Sequence, residues 1–341
     1  GLMGPIKDAK RDLTISSDNA LPLIQKMVEE GPEKKANKPK QIIADLAPQF
    51  VSFIENINGA SALPLLTNLE DALEQKEIQA YFVDSDTEEN IKTFGWAGQI
   101  LNANDMQDYL MIVNTNIQGQ KSDAKIKQTI SHQALLEKDG SIIDTVTITK
   151  EHTGISGEKL YGQTNIDYLR IYVPKNSTLL SAAGFTWPDE KNFRVPENWY
   201  KKDDYLMEKE KEISIDDKTG TRITEEFDKT VFGNWIVTEP GQTNKIQFTY
   251  RLPFKLEPAS LPSNDWKKIL SPLGKKLANY QLVVQKQSGA SSDFESQIIV
   301  PDDWSPVWRN GDNFVLASNG ASMVKAALPK DKIWSILFKK K

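Results

Sequence analysis

The spacing of the hydrophobic residues changes once along this chain of 341 residues, and that change limits the fold more than any other feature. Before Asp108 the apolar residues recur at the spacing of amphipathic helices. From Tyr109 onward they alternate with polar residues or form short apolar runs between turn signals. These two periods are typical of helices and of strands respectively. The sequence therefore predicts a helical or α/β region followed by a β-rich region.

Three helices are predicted in the first region, each from an apolar stripe of period 3.6. They are assigned to Leu21–Val28, Gln41–Ile57 and Ser61–Gln75. Pro48 is expected to bend or interrupt the second helix, because proline lacks a donor for the helical hydrogen bonds. Ile78–Val83 is predicted to be a strand and Asp86–Phe94 a short helix. This region, residues 1–113, is interpreted as the C-terminal part of a larger helical or α/β domain.

Many short strands separated by turn signals are predicted in the second region, which is typical of a sandwich. Asp139-Gly140 is a strong hairpin signal between two of them. The predicted class is therefore α+β, with an N-terminal helical or α/β half-domain followed by antiparallel, Ig-like β-sandwich modules. Residues 114–255 form the first sandwich, with a polar insertion at 187–209. Residues 256–341, with a short helix around Trp266–Leu277, are either a second small sandwich or an extension of the first.

Charge and composition exclude several classes of function. With 42 Lys and Arg against 47 Asp and Glu, the net charge is −5 and the basic residues are scattered, so nucleic acid is not an expected partner. The chain has no cysteine, which excludes disulfides, thiolate catalysis and Cys-ligated metals, and suits a bacterial protein outside the cytoplasm. Since no apolar run approaches about 18 residues, we expect no membrane insertion by this chain itself.

No catalytic or metal-binding set is predicted, and no cofactor is expected. His132 and His152 lie on predicted strands without a nucleophile and an orienting partner beside them, so both are interpreted as structural. The segment Asp84–Asn90 begins like a calcium loop but has Glu89 where the sharp turn needs glycine. Capping of the following helix explains it better. We do not expect this chain alone to be an enzyme.

The best candidate for a ligand site is the polar loop that follows the buried strand at residues 109–113. Such a loop can bind an anion or a sugar through amide side chains, backbone N–H groups and a lysine. Alternatively, asparagine and glycine serve only to turn the chain from one domain into the next. The candidate residues are Asn114, Asn116, Gly119, Lys121 and Asp123.

A second candidate lies in the polar insertion, where Trp199 and Tyr200 are adjacent. Aromatic side chains in a loop can stack on a sugar ring, which suggests a carbohydrate-binding module. A pair of aromatic residues is also common without any ligand. Both interpretations of this pair are kept.

Several stretches of the chain are similar to one known family. They include IQAYFVDSDTEENIKTFGWAGQI from Ile78, DYLMIVNTNIQGQKSD from Asp108, YVPKNSTLLSAAGF from Tyr172 and WIVTEPGQTNKIQFTYRLP from Trp235. The chain resembles the C-terminal half of the bacterial "domain of unknown function 4012" family. Trp96, Gly98 and the five residues of the polar loop match the family pattern, which assigns no role to any of them.

The resemblance implies a setting for the protein. Members are single-pass, membrane-anchored bacterial proteins whose domain faces outside, and some occur near cell-surface polysaccharide functions. We therefore expect an extracytoplasmic fragment with a structural or interaction role, whose partner is an envelope glycan or another envelope protein. The family's upstream half has an Arg-x-Thr-Gly-Gly-Phe-like motif, absent here, that is loosely similar to wall-polymer transferases. The alternative is thus part of such an enzyme whose catalytic half lies outside this chain.

Overall fold

The fold was analysed in a computed structural model, which describes residues 2–102, 104, 106–260, 276–311 and 313–340. The chain divides into two compact units, Gly1–Leu73 and Glu74–Lys341. Within the described residues, no helix is both long enough and apolar enough to cross a membrane. The predicted helix around Trp266–Leu277 falls almost entirely on residues 261–275 and so lies outside the described residues.

The first unit combines a small hairpin with helices. Its elements are β1 (Ile6–Asp8), β2 (Leu13–Ile15), α1 (Ala20–Glu30), α2 (Pro32–Lys35), α3 (Gln41–Glu55) and α4 (Gly59–Glu74). The three predicted helices are confirmed as α1, α3 and α4. Ile42 and Leu46, one turn apart on α3, are buried with Ile6 and Ile15 of the hairpin, as the stripe of period 3.6 requires. Pro48 lies inside α3 without ending it.

The prediction of a strand over Ile78–Val83 is wrong. The segment is irregular, with Tyr81 77% and Val83 92% exposed, and no described strand pairs with it. β-branched and aromatic residues suggested the strand, but a strand needs a neighbour to accept its hydrogen bonds. The helix that follows is confirmed as α5 (Ser85–Thr93), and the carboxylate of Asp84 caps it by accepting a hydrogen bond from the backbone N–H of Thr87 at 2.9 Å.

A two-layer β-sandwich forms most of the second unit. Its strands in chain order are β3 (Asp108–Val113), β4 (Ile126–Leu136), β5 (Ser141–His152), β6 (Asn165–Pro174), β7 (Thr178–Ala183), β8 (Lys211–Ile215), β9 (Arg222–Glu226), β10 (Lys229–Thr238), β11 (Thr243–Lys255), β12 (Ala259–Ser260), β13 (Lys276–Gln285), β14 (Ser292–Ile299), β15 (Trp304–Arg309), β16 (Val315–Ala317), β17 (Gly320–Ala327) and β18 (Lys332–Lys340). A short helix, α6 (Asp204–Lys209), lies in the polar insertion. The α+β class with a β-sandwich is therefore confirmed.

The strands are divided between two large sheets. The larger has the order β15-β18-β13-β3-β6-β10-β9-β8, with β12 beside β13, and the other has the order β16-β17-β14-β4-β5-β11-β7. Two pairs are parallel, β13 with β3 and β14 with β4, which corrects the prediction of an antiparallel sandwich. The Asp139-Gly140 hairpin between β4 and β5 is present as predicted. Hairpins have local turn signals, whereas parallel pairing of strands distant in the chain has none.

The structure also changes the predicted division of the chain. β3 pairs with both β6 and β13 in the middle of the larger sheet, so the predicted boundary after Val113 does not coincide with the observed division between Leu73 and Glu74. The nearly continuous burial of β3 means that both of its faces are covered. The described strands after Leu256 belong to the same two sheets as those before it.

The main core lies between the two sheets, and charged residues share its inward register. On β5, alternate residues from Ile142 to His152 are buried, and this set includes Asp144 and Lys150. On β4 the buried set includes His132 between Ile130 and Ala134. Strand alternation therefore places four ionisable side chains of β4 and β5, those of His132, Asp144, Lys150 and His152, inside a mainly apolar layer.

Candidate functional site

The predicted polar loop joins β3 to β4 and ends in a 3₁₀ turn over Ser122–Lys125. Asn116 holds its shape, because Oδ1 accepts a hydrogen bond from the Gly119 N–H at 3.0 Å and Nδ2 donates to Ser122 Oγ at 3.2 Å. A Cβ atom on residue 119 would lie 2.2 Å from Asn116 Oδ1. Asn116 and Gly119 therefore form the turn itself.

The two ends of the loop, Asn114 and Asp123, line a cavity of about 390 Å³. Its other walls come from β4 and β5 and from the turn between β13 and β14. The lining residues besides the two loop ends are Ala124, Ile126, Gln128, Lys150, Gln287, Ser288, Gly289, Ala290 and Ser291. Lys121 is not among them, and its backbone N–H donates to Leu160 O at 3.0 Å. Sequence reasoning thus located one wall of the cavity.

Lys150 forms the floor of the cavity and is fully buried. Its Nζ donates to Asp167 Oδ2 at 2.5 Å, to Asn165 Oδ1 at 3.2 Å and to Asn114 Oδ1 at 3.4 Å. Burial raises the pKa of Asp167, and the neighbouring Lys150 ammonium opposes that rise. Because all three ammonium hydrogens have an oxygen partner, the ion pair is a satisfied buried network.

Neighbouring side chains tie the loop to this network. Asn165 Nδ2 donates to Asp123 Oδ1 at 2.7 Å, and the backbone N–H of Thr115 donates to Asp167. Gln287 binds the Asn114 backbone at both groups, accepting from its N–H at 2.9 Å and donating to its carbonyl oxygen at 3.0 Å. The rim of the cavity is therefore held in place by side chains from β5 and β6 and from the turn between β13 and β14.

The lining is rich in hydrogen-bond acceptors. Gln128 is only 7% exposed; its Nε2 donates to Ser292 Oγ at 2.9 Å, whereas its Oε1 has no partner among the described residues. Asp123 adds a carboxylate, and Lys150 is already neutralised by Asp167. A ligand that donates hydrogen bonds, such as one bearing hydroxyl groups, complements these atoms better than an anion does.

The aromatic candidates do not line this cavity. Trp199 and Tyr200 are 70% and 62% exposed in the polar insertion. Their ring centroids are 4.3 Å apart, and the Trp199 indole donates to Glu197 at 2.6 Å. The insertion does touch the polar loop, through a hydrogen bond from Gln118 to the Asn192 carbonyl oxygen. The two sequence-predicted candidates are thus separate in the part of the chain that the structure describes.

Sequence reasoning missed the residues that form the floor. Lys150 and Asp167 interrupt otherwise apolar inward faces, Val146-x-Ile148-x-Lys150 on β5 and Asp167-x-Leu169-x-Ile171 on β6. A charge at an inward position of a strand is rarely left unpaired. Two opposite charges in that register were therefore a signal for a buried pair, although the sequence does not show that β5 and β6 face each other across the core.

Comparison with known proteins gives no family for the chain. No protein-family profile and no curated protein matches it. A solved structure of a candidate nutrient-binding protein from Legionella pneumophila is similar over 68% of this chain and 70% of that protein, at 9% identity and a TM-score of 0.34. An M1 zinc metallopeptidase from Deinococcus radiodurans matches over 62% of this chain and 42% of its own, at 10% identity and a TM-score of 0.27. At these TM-scores neither likeness identifies a fold or a function.

Proposed function

We propose that the protein is a non-catalytic, extracytoplasmic module of the bacterial cell envelope that binds an envelope glycan through the cavity above Lys150. The observation that carries the binding part is Gln128, whose buried Oε1 faces no described donor. An unsatisfied buried acceptor costs about 1–3 kcal/mol. Gln128 lines the cavity, and we infer that its side-chain amide turns this oxygen toward a ligand hydroxyl on binding, which removes that cost and favours hydroxyl-bearing ligands.

The charge of the cavity supports a sugar over an anion. Lys150 is engaged by Asp167, and the Asp123 carboxylate stays on the rim. An anionic ligand would face this carboxylate and the Gln128 oxygen, while the floor ammonium is already paired. Sugar hydroxyls both donate and accept, which suits the mixed amide, carboxylate and hydroxyl groups of the lining.

The cellular setting is part of the same proposal and is supported by the resemblance of Ile78–Asp123 to the "domain of unknown function 4012" family. It includes membership in that family and a location outside the cytoplasm, with the glycan or another envelope protein as partner. An Ig-like character of the sandwich also belongs here, and the antiparallel block β4-β5-β11-β7 supports it.

We also propose that the first unit is completed by another part of a larger domain. Its helices α3 and α4 expose several large apolar side chains. These are Ile43, Phe50, Val51, Ile54, Leu63, Leu66 and Leu69. Apolar patches of this kind are usually covered in a native assembly. Their exposure supports the interpretation of this unit as the C-terminal part of a larger fold.

Glycan binding is testable with the full chain on an array of bacterial envelope saccharides. Ser291 is an exposed residue of the cavity wall, so Ser291→Trp should fill the opening without disturbing the core. We expect binding to fall at least about tenfold, the loss expected for about 1.4 kcal/mol of contacts. Ser214→Trp, at an exposed position of β8, is the matched control and should bind as the wild type does.

The variant Trp199→Ala distinguishes glycan binding in the cavity from glycan binding at the aromatic pair Trp199 and Tyr200. Binding that survives Trp199→Ala but not Ser291→Trp assigns the glycan to the cavity. Binding lost in Trp199→Ala and retained in Ser291→Trp would overturn the cavity as the site. No binding of any envelope saccharide by the wild-type chain would overturn the glycan proposal itself.

A further inference from the structure

Three ionisable side chains face one another inside the sandwich, six positions along β5 from Lys150. Asp108 begins β3 in the larger sheet, whereas His132 on β4 and Asp144 on β5 come from the other sheet. Their exposures are 0%, 3% and 0%. One ligand atom of each lies within 4.8 Å of those of the other two. The cluster therefore bridges the two layers in the buried interior.

Four buried polar atoms of this cluster make no hydrogen bond of good geometry with the described residues. They are Asp108 Oδ1, His132 Nε2 and both carboxylate oxygens of Asp144. His132 Nε2 lies 3.5 Å from Asp108 Oδ2 and 3.8 Å from Asp144 Oδ2. These distances are too long for good hydrogen bonds. Two ligands of a tetrahedral zinc ion, with bonds of about 2.0–2.1 Å, lie about 3.3 Å apart, which is close to this spacing.

The charge of the cluster also favours a bound cation. The two carboxylates are buried and have no described lysine or arginine paired with them, so their negative charge is costly unless a cation or protons offset it. A divalent cation with a neutral imidazole balances both carboxylates.

The surrounding side chains form the outer shell that metal ligands usually have. His132 Nδ1 lies 2.9 Å from Ser296 Oγ, a contact that can fix the tautomer with Nε2 free to bind. Asp108 Oδ2 accepts a hydrogen bond from the Tyr280 hydroxyl. Tyr250 pairs with Asp144 in the strand register, and its buried hydroxyl lies beside that carboxylate. Both carboxylates and the imidazole are thus oriented or flanked by hydroxyl groups.

We propose that Asp108, His132 and Asp144 bind one divalent transition-metal ion, with Zn²⁺ the best match, as a structural bridge between the two sheets. An imidazole with two carboxylates suits Zn²⁺ or Mn²⁺. Ca²⁺ takes six to eight oxygen ligands, more than this cluster offers. Because both oxygens of Asp144 are unpartnered among the described residues, a bidentate Asp144 completes four ligand atoms. The full burial of the cluster implies that the ion enters during folding.

The test uses the tag-free wild-type chain, refolded with and without Zn²⁺ after removal of metals by a chelator. We expect about one equivalent of bound zinc per chain by elemental analysis. Zinc at about a hundredfold excess over its Kd should raise the Tm by roughly 5–10 °C. Co²⁺ in place of Zn²⁺ should give the visible absorption of a four-coordinate site.

The two histidines of the chain provide a matched pair of variants. His132→Gln should lose the metal and the Tm shift, whereas His152→Gln should keep both, because His152 Nε2 contacts the Gln163 carbonyl oxygen away from the cluster. Wild-type chain that refolds without metal, takes up less than about a tenth of an equivalent and shows no Tm shift would overturn the proposal. Zinc retained by His132→Gln would also overturn it. Wild-type stoichiometry and the Co²⁺ spectrum decide the question even if His132→Gln does not fold.

Discussion

Two buried charged clusters lie in the same sandwich, and they differ in how completely their polar atoms are paired. In the Lys150 cluster, the ammonium donates to Asp167, Asn165 and Asn114. In the Asp108 cluster, both oxygens of Asp144 and one of Asp108 lack a partner among the described residues. Since burial is nearly complete in both, the difference arises from the number of hydrogen-bond donors around the carboxylates.

This difference separates a structural role from a binding role. A satisfied ion pair rigidifies the strands that carry it and needs nothing else. It therefore serves only as a wall of the cavity, and our proposal assigns recognition of the ligand to Gln128 and the rim. A cluster with unpaired buried carboxylates is incomplete within the protein and requires a cation or protons.

The largest expected change in stability comes from breaking the ion pair between Lys150 and Asp167. Lys150→Met should lower the free energy of unfolding by about 3–5 kcal/mol, because it leaves the Asp167 carboxylate buried and uncompensated. Urea unfolding measures the change. The double variant Lys150→Met with Asp167→Asn should recover part of the loss. A loss below about 1 kcal/mol in the single variant would mean that the pair is not buried as described.

In the Asp108 cluster, a substitution is expected to raise the free energy of unfolding. In the presence of a chelator at pH 8, Asp144→Asn should raise the free energy of unfolding by about 1–3 kcal/mol, since it removes one of two repelling buried carboxylates. The side-chain amide introduced by this substitution can also donate to Asp108. Urea unfolding of the chelated protein measures this effect, and Zn²⁺ should no longer stabilise the variant. Strong destabilisation without metal would show that Asp144 is already satisfied within the protein.

A change in stability of similar size but opposite sign is expected at the rim of the cavity. Gly119→Ala should lower the free energy of unfolding, measured by urea unfolding, by about 1–3 kcal/mol. The added Cβ would lie 2.2 Å from Asn116 Oδ1 and 2.7 Å from Ser122 Oγ. Gly59→Ala, where nothing lies within 4 Å, is the matched control and should change stability by no more than about 0.5 kcal/mol. Equal stability of both variants would mean that the turn does not depend on the small residue.

Local patterns predicted much of the fold. The helices α1, α3 and α4 and the β4–β5 hairpin follow directly from apolar period and turn residues. The parallel pairings of β3 with β13 and β4 with β14 could not be predicted, because they join distant parts of the chain. The false strand at Ile78–Val83 has strand-forming residues but no described strand beside it.

The candidate sites could likewise be predicted only where their residues are close together in the sequence. The polar composition of Asn114–Asp123 located one wall of the cavity, but Lys150 came from another strand. His132 was interpreted as structural because no partner is adjacent in sequence. Its partners Asp108 and Asp144 reach it across the sandwich and from the neighbouring strand. An ionisable residue in the inward register of a strand is the signal that was available, and its partner is fixed only by tertiary structure.

The most direct test of the contrast between the two clusters is a crystal structure of the protein refolded with Zn²⁺, with anomalous diffraction recorded on both sides of the zinc absorption edge. We predict one strong anomalous peak bound by His132 Nε2 and the carboxylates of Asp108 and Asp144, and none at Lys150. Density without an anomalous peak, in which Asp108, His132 and Asp144 are instead joined by direct hydrogen bonds, would contradict this account.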